Sequence, residues 1–134
     1  MKQAVTSMNS IGCEIWSVDG DFFEQVLPVD RGAVDELLAS TSPDDSVNMV
    51  WNDGEDPCLM IALSEGRGVV TLIIDAEFHT LVGSAEVGDV EMMVGGQSIV
   101  QPKRLTVSAD EVVRRIGELP DVEGMLRRYS WHRE

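Results

Sequence analysis

Two cysteines, two histidines and a surplus of carboxylates are the residues of this chain that could do chemistry. Structural zinc takes its ligands at close, characteristic spacings, and Cys13, Cys58, His79 and His132 each stand alone, so no metal site is expected. Asn52-Asp53-Gly54-Glu55-Asp56 offers oxygen donors but not the register of a calcium loop closed by glutamate, and it reads as a solvated turn. Asp19-Gly20-Asp21 fails the same test. Nucleophilic catalysis would need a Ser or Cys beside a base, and the chain has neither a Gly-x-Ser-x-Gly step nor a local Cys-His pair. His79, at a strand start in Glu-Phe-His-Thr-Leu, reads first as a hydrogen-bonded structural histidine and second as a base. Paired carboxylates such as Asp75 with Glu77, or Glu55 with Asp56, would need a pocket that separates their pKa values, which exposed turns do not supply. Gly66-Arg67-Gly68 and Gly95-Gly96 lack the lysine and following helix of a phosphate loop and read as hairpin turns. No catalytic residue and no cofactor is expected; the chain reads as one that acts by binding.

Charge then narrows the partner. The 134 residues are 43% hydrophobic, enough for one domain with a real core, taken as 1–134 with residues 1–10 as a flexible lead. The formal charge of -14 disfavours direct contact with nucleic acid and favours a basic protein. Residues 1–102 carry 18 of the 24 acidic side chains and only 3 of the 10 basic ones, so the negative field belongs to the first three quarters. The two cysteines are expected reduced and buried. The start lacks a secretory pattern and no apolar run reaches about 18 residues, so a cytoplasmic protein without a membrane partner is expected.

The elements that must position these residues follow from periodicity. Cys13 to Val18 alternates as a strand with Trp16 on its inner face, stopped by Asp19-Gly20. Asp21 and Glu24 resemble a capping box for about one helical turn before Pro28. Asp30 caps a helix whose Ala33, Val34, Leu37 and Leu38 make one apolar stripe. Val47 to Trp51, Cys58 to Leu63, Val69 to Ile74 and His79 to Val82 form an antiparallel meander, and Val87 to Val94 pairs with Ser98 to Val100 as a further hairpin. Ser108 and Glu111 open a helix to Leu119, ended by Pro120, and Met125 to Trp131 reads as a last strand with Tyr129 and Trp131 on one side. The expected fold is α+β, a mainly antiparallel sheet of about five to seven strands with two or three helices on one face.

The order of a helix at Ala33-Val34-Asp35-Glu36-Leu37-Leu38, hairpin strands at Cys58 to Leu63 and Val69 to Ile74, Leu105-Thr106-Val107-Ser108 leading into a helix, and a closing Trp131 resembles immunity protein family 1 of bacterial polymorphic toxin systems. The likeness runs over roughly residues 30–132. Members often carry a Gly-x-x-Pro step after the last long helix, where this chain has Leu119-Pro120-Asp121-Val122-Glu123-Gly124. The resemblance implies a small α+β protein that neutralises a deaminase-type toxin by direct binding, with Trp131 defining the fold and no catalytic residue; a nuclease, like a nucleic-acid deaminase, needs a positive groove. A basic groove on such a toxin could be filled by acidic loops in place of phosphates. The expected rim is Asp53, Glu55, Asp56, Glu65, Asp75, Glu77, Glu86, Asp89 and Glu91, with Trp51 or Phe78 at its centre. Two other readings stand beside it: a structural or regulatory module that forms a homodimer, and a small ligand carrier with a pocket around His79.

Overall fold

Short β-branched and aliphatic runs, punctuated by turn residues, fold into one large antiparallel sheet in the computed structural model, which describes residues 9–134. The strands are β1 (Ser10–Trp16), β2 (Phe22–Pro28), β3 (Ser46–Trp51), β4 (Cys58–Ser64), β5 (Arg67–Ile74), β6 (Glu77–Leu81), β9 (Val107–Ser108) and β10 (Trp131–Arg133). Their order is β10-β6-β5-β4-β3-β1-β2, with β9 pairing the start of β5. A second small sheet is the hairpin of β7 (Asp89–Val94) and β8 (Gln97–Pro102). The fold is α+β, and its main sheet has 8 strands, slightly more than the sequence leads one to expect.

Two two-residue turns set this meander and a third closes the small hairpin. Glu65-Gly66, Asp75-Ala76 and Gly95-Gly96 all hold positive φ, the mirror-type geometry whose twist matches that of the strands they join. Asp75 and Ala76 are not glycines, and their turn is held from outside: the Asp56 carboxylate accepts from Asp75 N at 2.9 Å and Ala76 N at 2.7 Å.

Period-two alternation gives the sheet two unlike faces. Ile11, Cys13 and Ile15 of β1 line up with Val47, Met49 and Trp51 of β3, then Leu59, Ile61 and Leu63 of β4, and all are buried. Over this face lie α1 (Arg31–Ala39), α2 (Ala109–Ile116) and α3 (Val122–Arg128), which contribute Val34, Leu37, Val112, Ile116 and Met125 to the same core. Asp30 caps α1 by accepting from Ala33 N at 3.1 Å, and Ser108 caps α2 by accepting from Glu111 N at 3.2 Å. Helix α2 sits close on the sheet because residue 68 is glycine: a Cβ there would stand 2.5 Å from Val112 Cγ2.

Several expectations are corrected here. Residues 22–27 are not a helical turn; they belong to strand β2, where Pro28 marks an edge and does not end a helix. Trp16 faces away from the helices, because Ile11, Cys13 and Ile15 take the core side of β1; it packs on Phe22 at 4.6 Å beneath Gly96. The segment after Pro120 is helix α3, capped by Asp121 accepting from Gly124 N at 3.1 Å, so only Trp131–Arg133 is strand and Tyr129 does not share it. The expected flexible lead falls mainly on residues 1–8, outside the described residues, and Ser10 already begins β1.

Candidate functional site

Among the described residues no helix lies over the second face of the sheet, and the β7–β8 hairpin alone covers part of it. Met93 N donates to Ser64 Oγ at 3.1 Å, and the hairpin tip at Gly95 and Gly96 reaches Asn48 and Trp16, so the Trp16 end of the face is roofed. The rest is an open groove of about 770 Å³. Its floor is the cross-strand row Gly12, Val50, Met60 and Thr71, with Ala62 and Val69 alongside. Val94 and Ile99 of the hairpin make one wall, and Glu24, Gln25 and Val26 of β2 make another.

The electrostatics of this groove have one sign. Glu14, Glu24 and Asp53 line it, and among the described residues no Lys, Arg or His does. Glu14 and Glu24 are direct cross-strand partners on this face, and neither has an ion pair among the described residues. Like charges placed directly opposite are destabilising by about 0.2–1 kcal/mol. Apolar atoms share the surface: Met60 is 41% exposed and Val26 72%. The groove therefore sets apolar contact area beside carboxylates.

The acidic residues expected from the sequence divide into separate groups. Asp53, Glu55 and Asp56 lie in the β3–β4 connection, whose Asp56 binds the Asp75-Ala76 turn, with Glu77 and the half-exposed Phe78 next to that turn, so six of the expected residues gather at one end of the sheet. Asp56 is committed there to holding the turn, and Glu77 pairs with Arg133 at 3.5 Å. Glu65 lies at the opposite end, in the β4–β5 turn. Glu86 lines a separate polar notch of about 520 Å³, where Arg67 approaches it at 3.6 Å and donates to Thr106 Oγ1 at 3.0 Å. Asp89 and Glu91 lie on β7. Trp51, expected at the centre of the rim, is 1% exposed on the core side of β3 and packs in the interior.

Glu14, Glu24, Val26, Val50 and Met60 were missing from that expectation. Placing Trp16 inward carries Glu14 inward with it; Ile11, Cys13 and Ile15 take the core side instead, and the partner Glu24 emerges only once Phe22 to Pro28 is recognised as a strand. Phe22-Phe23 and Val26 were the signal, since aromatic and branched residues favour an extended chain.

Both cysteines and His79 are buried, and among the described residues His79 Nδ1 has no hydrogen-bond partner. Burial pushes the Cys13 thiol up to about 11, and Cys58 is raised by burial and by Asp53, partly offset by a backbone hydrogen bond at Gly54. His79 is buried on the core side of β6 beside Leu72, outside the groove, with Nε2 3.9 Å from Glu77. Among the described residues, no three His, Cys, Asp or Glu side chains converge on a metal position. On the helical side, Arg115 lies under the Tyr129 ring at 3.8 Å and reaches Glu118 at 3.2 Å. Tyr129 donates to Glu118 at 2.6 Å, and Arg128 donates to it as well. This cluster ties α2 to α3. Burial works against the Glu118 charge, but the hydrogen bonds from Tyr129 and Arg128, together with both arginine charges, outweigh it and hold the carboxyl below the usual glutamate range.

The fold and groove define an α+β sheet protein with one helix-covered face and one open acidic face. Compared with known proteins, the chain matches no family model and no curated protein. Among the described residues no helix is long and apolar enough to cross a membrane.

Proposed function

We propose that this chain is an inhibitor of the immunity-protein kind, which binds a toxin with a basic surface and occludes its nucleic-acid groove. One observation carries the reading: the open sheet face holds a groove lined by Glu14, Glu24, Asp53 and apolar side chains, with no cation lining it among the described residues. A toxin that acts on nucleic acid needs a positive groove, and a protein that presents carboxylates over an apolar floor competes for that groove in place of phosphates. The acidic end formed by Asp53, Glu55, Asp75 and Glu77 extends the same field and steers the encounter. The resemblance to immunity protein family 1 supports the same reading from the order of the elements.

The test is co-expression with the C-terminal domain of the protein encoded immediately upstream. Growth is rescued, a 1:1 complex forms, and its association rate falls steeply as salt is raised. Glu14→Gln with Glu24→Gln slows association while Glu65→Gln does not, because Glu65 lies at the far end of the sheet. A harmless neighbour, or two proteins that never associate, overturns the reading.

A further inference from the structure

The two edges of the main sheet are unlike. At one edge, β10 has only 3 residues, and its Arg133 is paired with Glu77 at 3.5 Å. Short, charged edges of that kind resist pairing with other chains. At the other edge β2 has 7 residues, carries Phe22, Phe23 and Val26 exposed, and has no strand on its outer side among the described residues.

The hydrogen-bond phase of that edge can be read directly. Val29 N donates to Asn9 O at 3.0 Å, in line with the register that pairs Ser10 with Pro28 and Ile11 with Leu27. Antiparallel pairs alternate between bonded and non-bonded. Leu27, Gln25 and Phe23 therefore turn their backbone groups toward β1, and Val26, Glu24 and Phe22 turn theirs outward. Pro28 falls in the outward set, where its missing N–H costs no ladder bond. The outward set is also the set whose side chains share the groove face: Phe22 packs on Trp16, and Glu24 stands opposite Glu14.

We propose that β2 is a strand-addition site: an extended segment of the basic partner pairs with the outward groups of Phe22, Glu24 and Val26 and sets a Lys or Arg opposite Glu24. The inference rests on the reading of the chain as an inhibitor of a basic protein and states how that partner is held. Main-chain bonds give such a complex affinity, and alternate side chains give it register. An added cation beside Glu24 completes a row with Glu14 and converts an opposed like-charge pair into an attractive set. Apolar residues two positions to either side of that cation would meet Phe22 and Val26. The recognised pattern is thus apolar-x-basic-x-apolar. A second copy of this chain is the poorer occupant, because β2 contains no Lys or Arg, and no register of β2 on itself brings a cation beside Glu24.

The test uses the full chain and a synthetic peptide, Thr-Val-Thr-Lys-Thr-Val-Thr, blocked at both ends, followed by amide hydrogen exchange and chemical shifts. Exchange at Phe22, Glu24 and Val26 slows on addition of peptide, while Phe23 and Gln25, already bonded inward, change little. Methylating the peptide amides that face β2 removes the protection, whereas methylating the alternate amides preserves it. Glu24→Gln weakens binding by about fivefold. Perturbation of Val50, Met60 and Thr71 without protection at β2 overturns strand addition, as does the absence of any perturbation. Protection that grows with protein concentration alone assigns the edge to a second copy and also overturns the proposal. The inhibitor reading is judged apart from this: a partner domain that associates while the three outward amides exchange freely overturns strand addition alone, and one that never associates overturns the inhibitor reading.

Discussion

Glu118 is the residue on which the helical layer converges, since Arg115, Arg128 and Tyr129 all reach it. Its carboxyl ionises more readily folded than unfolded, so its contribution is fully present above the ordinary glutamate range and is lost as pH falls through the lowered folded value. Glu118→Gln should therefore cost about 1–2 kcal/mol at neutral pH, with the deficit shrinking in acid; denaturant melts of both proteins across pH measure it. A deficit that stays constant with pH would mean that shape, and not charge, holds the cluster. Ala76 gives an opposite case. It sits at φ 62, where a side chain is strained, while its N–H is held by Asp56. Ala76→Gly should relieve that strain and stabilise the protein by about 0.5–1 kcal/mol in the same melts.

Among the elements, β2 shows where the sequence was legible and where it was not. Strands buried on one face announced themselves: Val47 to Trp51 and Cys58 to Leu63 carry apolar residues that pack under the helices, and their meander followed from the turns between them. Helices α1 and α2 were equally plain, because Asp30 and Ser108 cap apolar stripes. Strand β2 was not, because an edge strand exposed on both faces has no alternation to display, and Asp21 with Glu24 imitated a capping box. Helix α3 was missed because its 7 residues carry too few apolar positions to establish a period, and Tyr129 and Trp131 suggested a strand. The acidic groove was half legible for the same reason, with Glu14 on a recognised strand and Glu24 on an unrecognised one. Their opposition makes a prediction at this scale. Glu24→Lys should raise the stability of the free protein by about 0.5–1 kcal/mol, by replacing repulsion with attraction across β1 and β2, and should abolish association with the basic partner. Thermal melts and a binding titration read the two effects separately; a variant that melts lower than the parent would show that the two carboxylates do not oppose one another.

For the whole molecule, the formal charge of -14 acts on the folded state as self-repulsion, concentrated in the sheet half of the chain and not in its final helices. The Debye length falls to about 10 Å at ~0.1 M salt, a distance shorter than the span of the sheet. Raising salt from about 10 mM to about 200 mM should therefore raise the melting temperature by roughly 3–5 °C, while the same change weakens association with a basic partner. A melting temperature that drops with salt would mean that the Glu118 cluster and the other local ion pairs outweigh the global repulsion. The two responses have opposite signs because the surplus charge repels itself within the molecule and, in the proposed function, attracts a basic partner.

The placement of the three tryptophans provides an optical readout of these events. Trp51 is sealed in the core, and Trp131 donates its Nε1 to Met125 O at 3.1 Å on the helical side. Trp16 alone lies at the junction of β1, the Phe22 end of β2 and the hairpin tip, with its Nε1 shielded and without a hydrogen-bond partner. Intrinsic fluorescence should accordingly report a partner's arrival through one indole, as a change in emission that Trp16→Phe removes, while the other two supply a steady background until the protein unfolds.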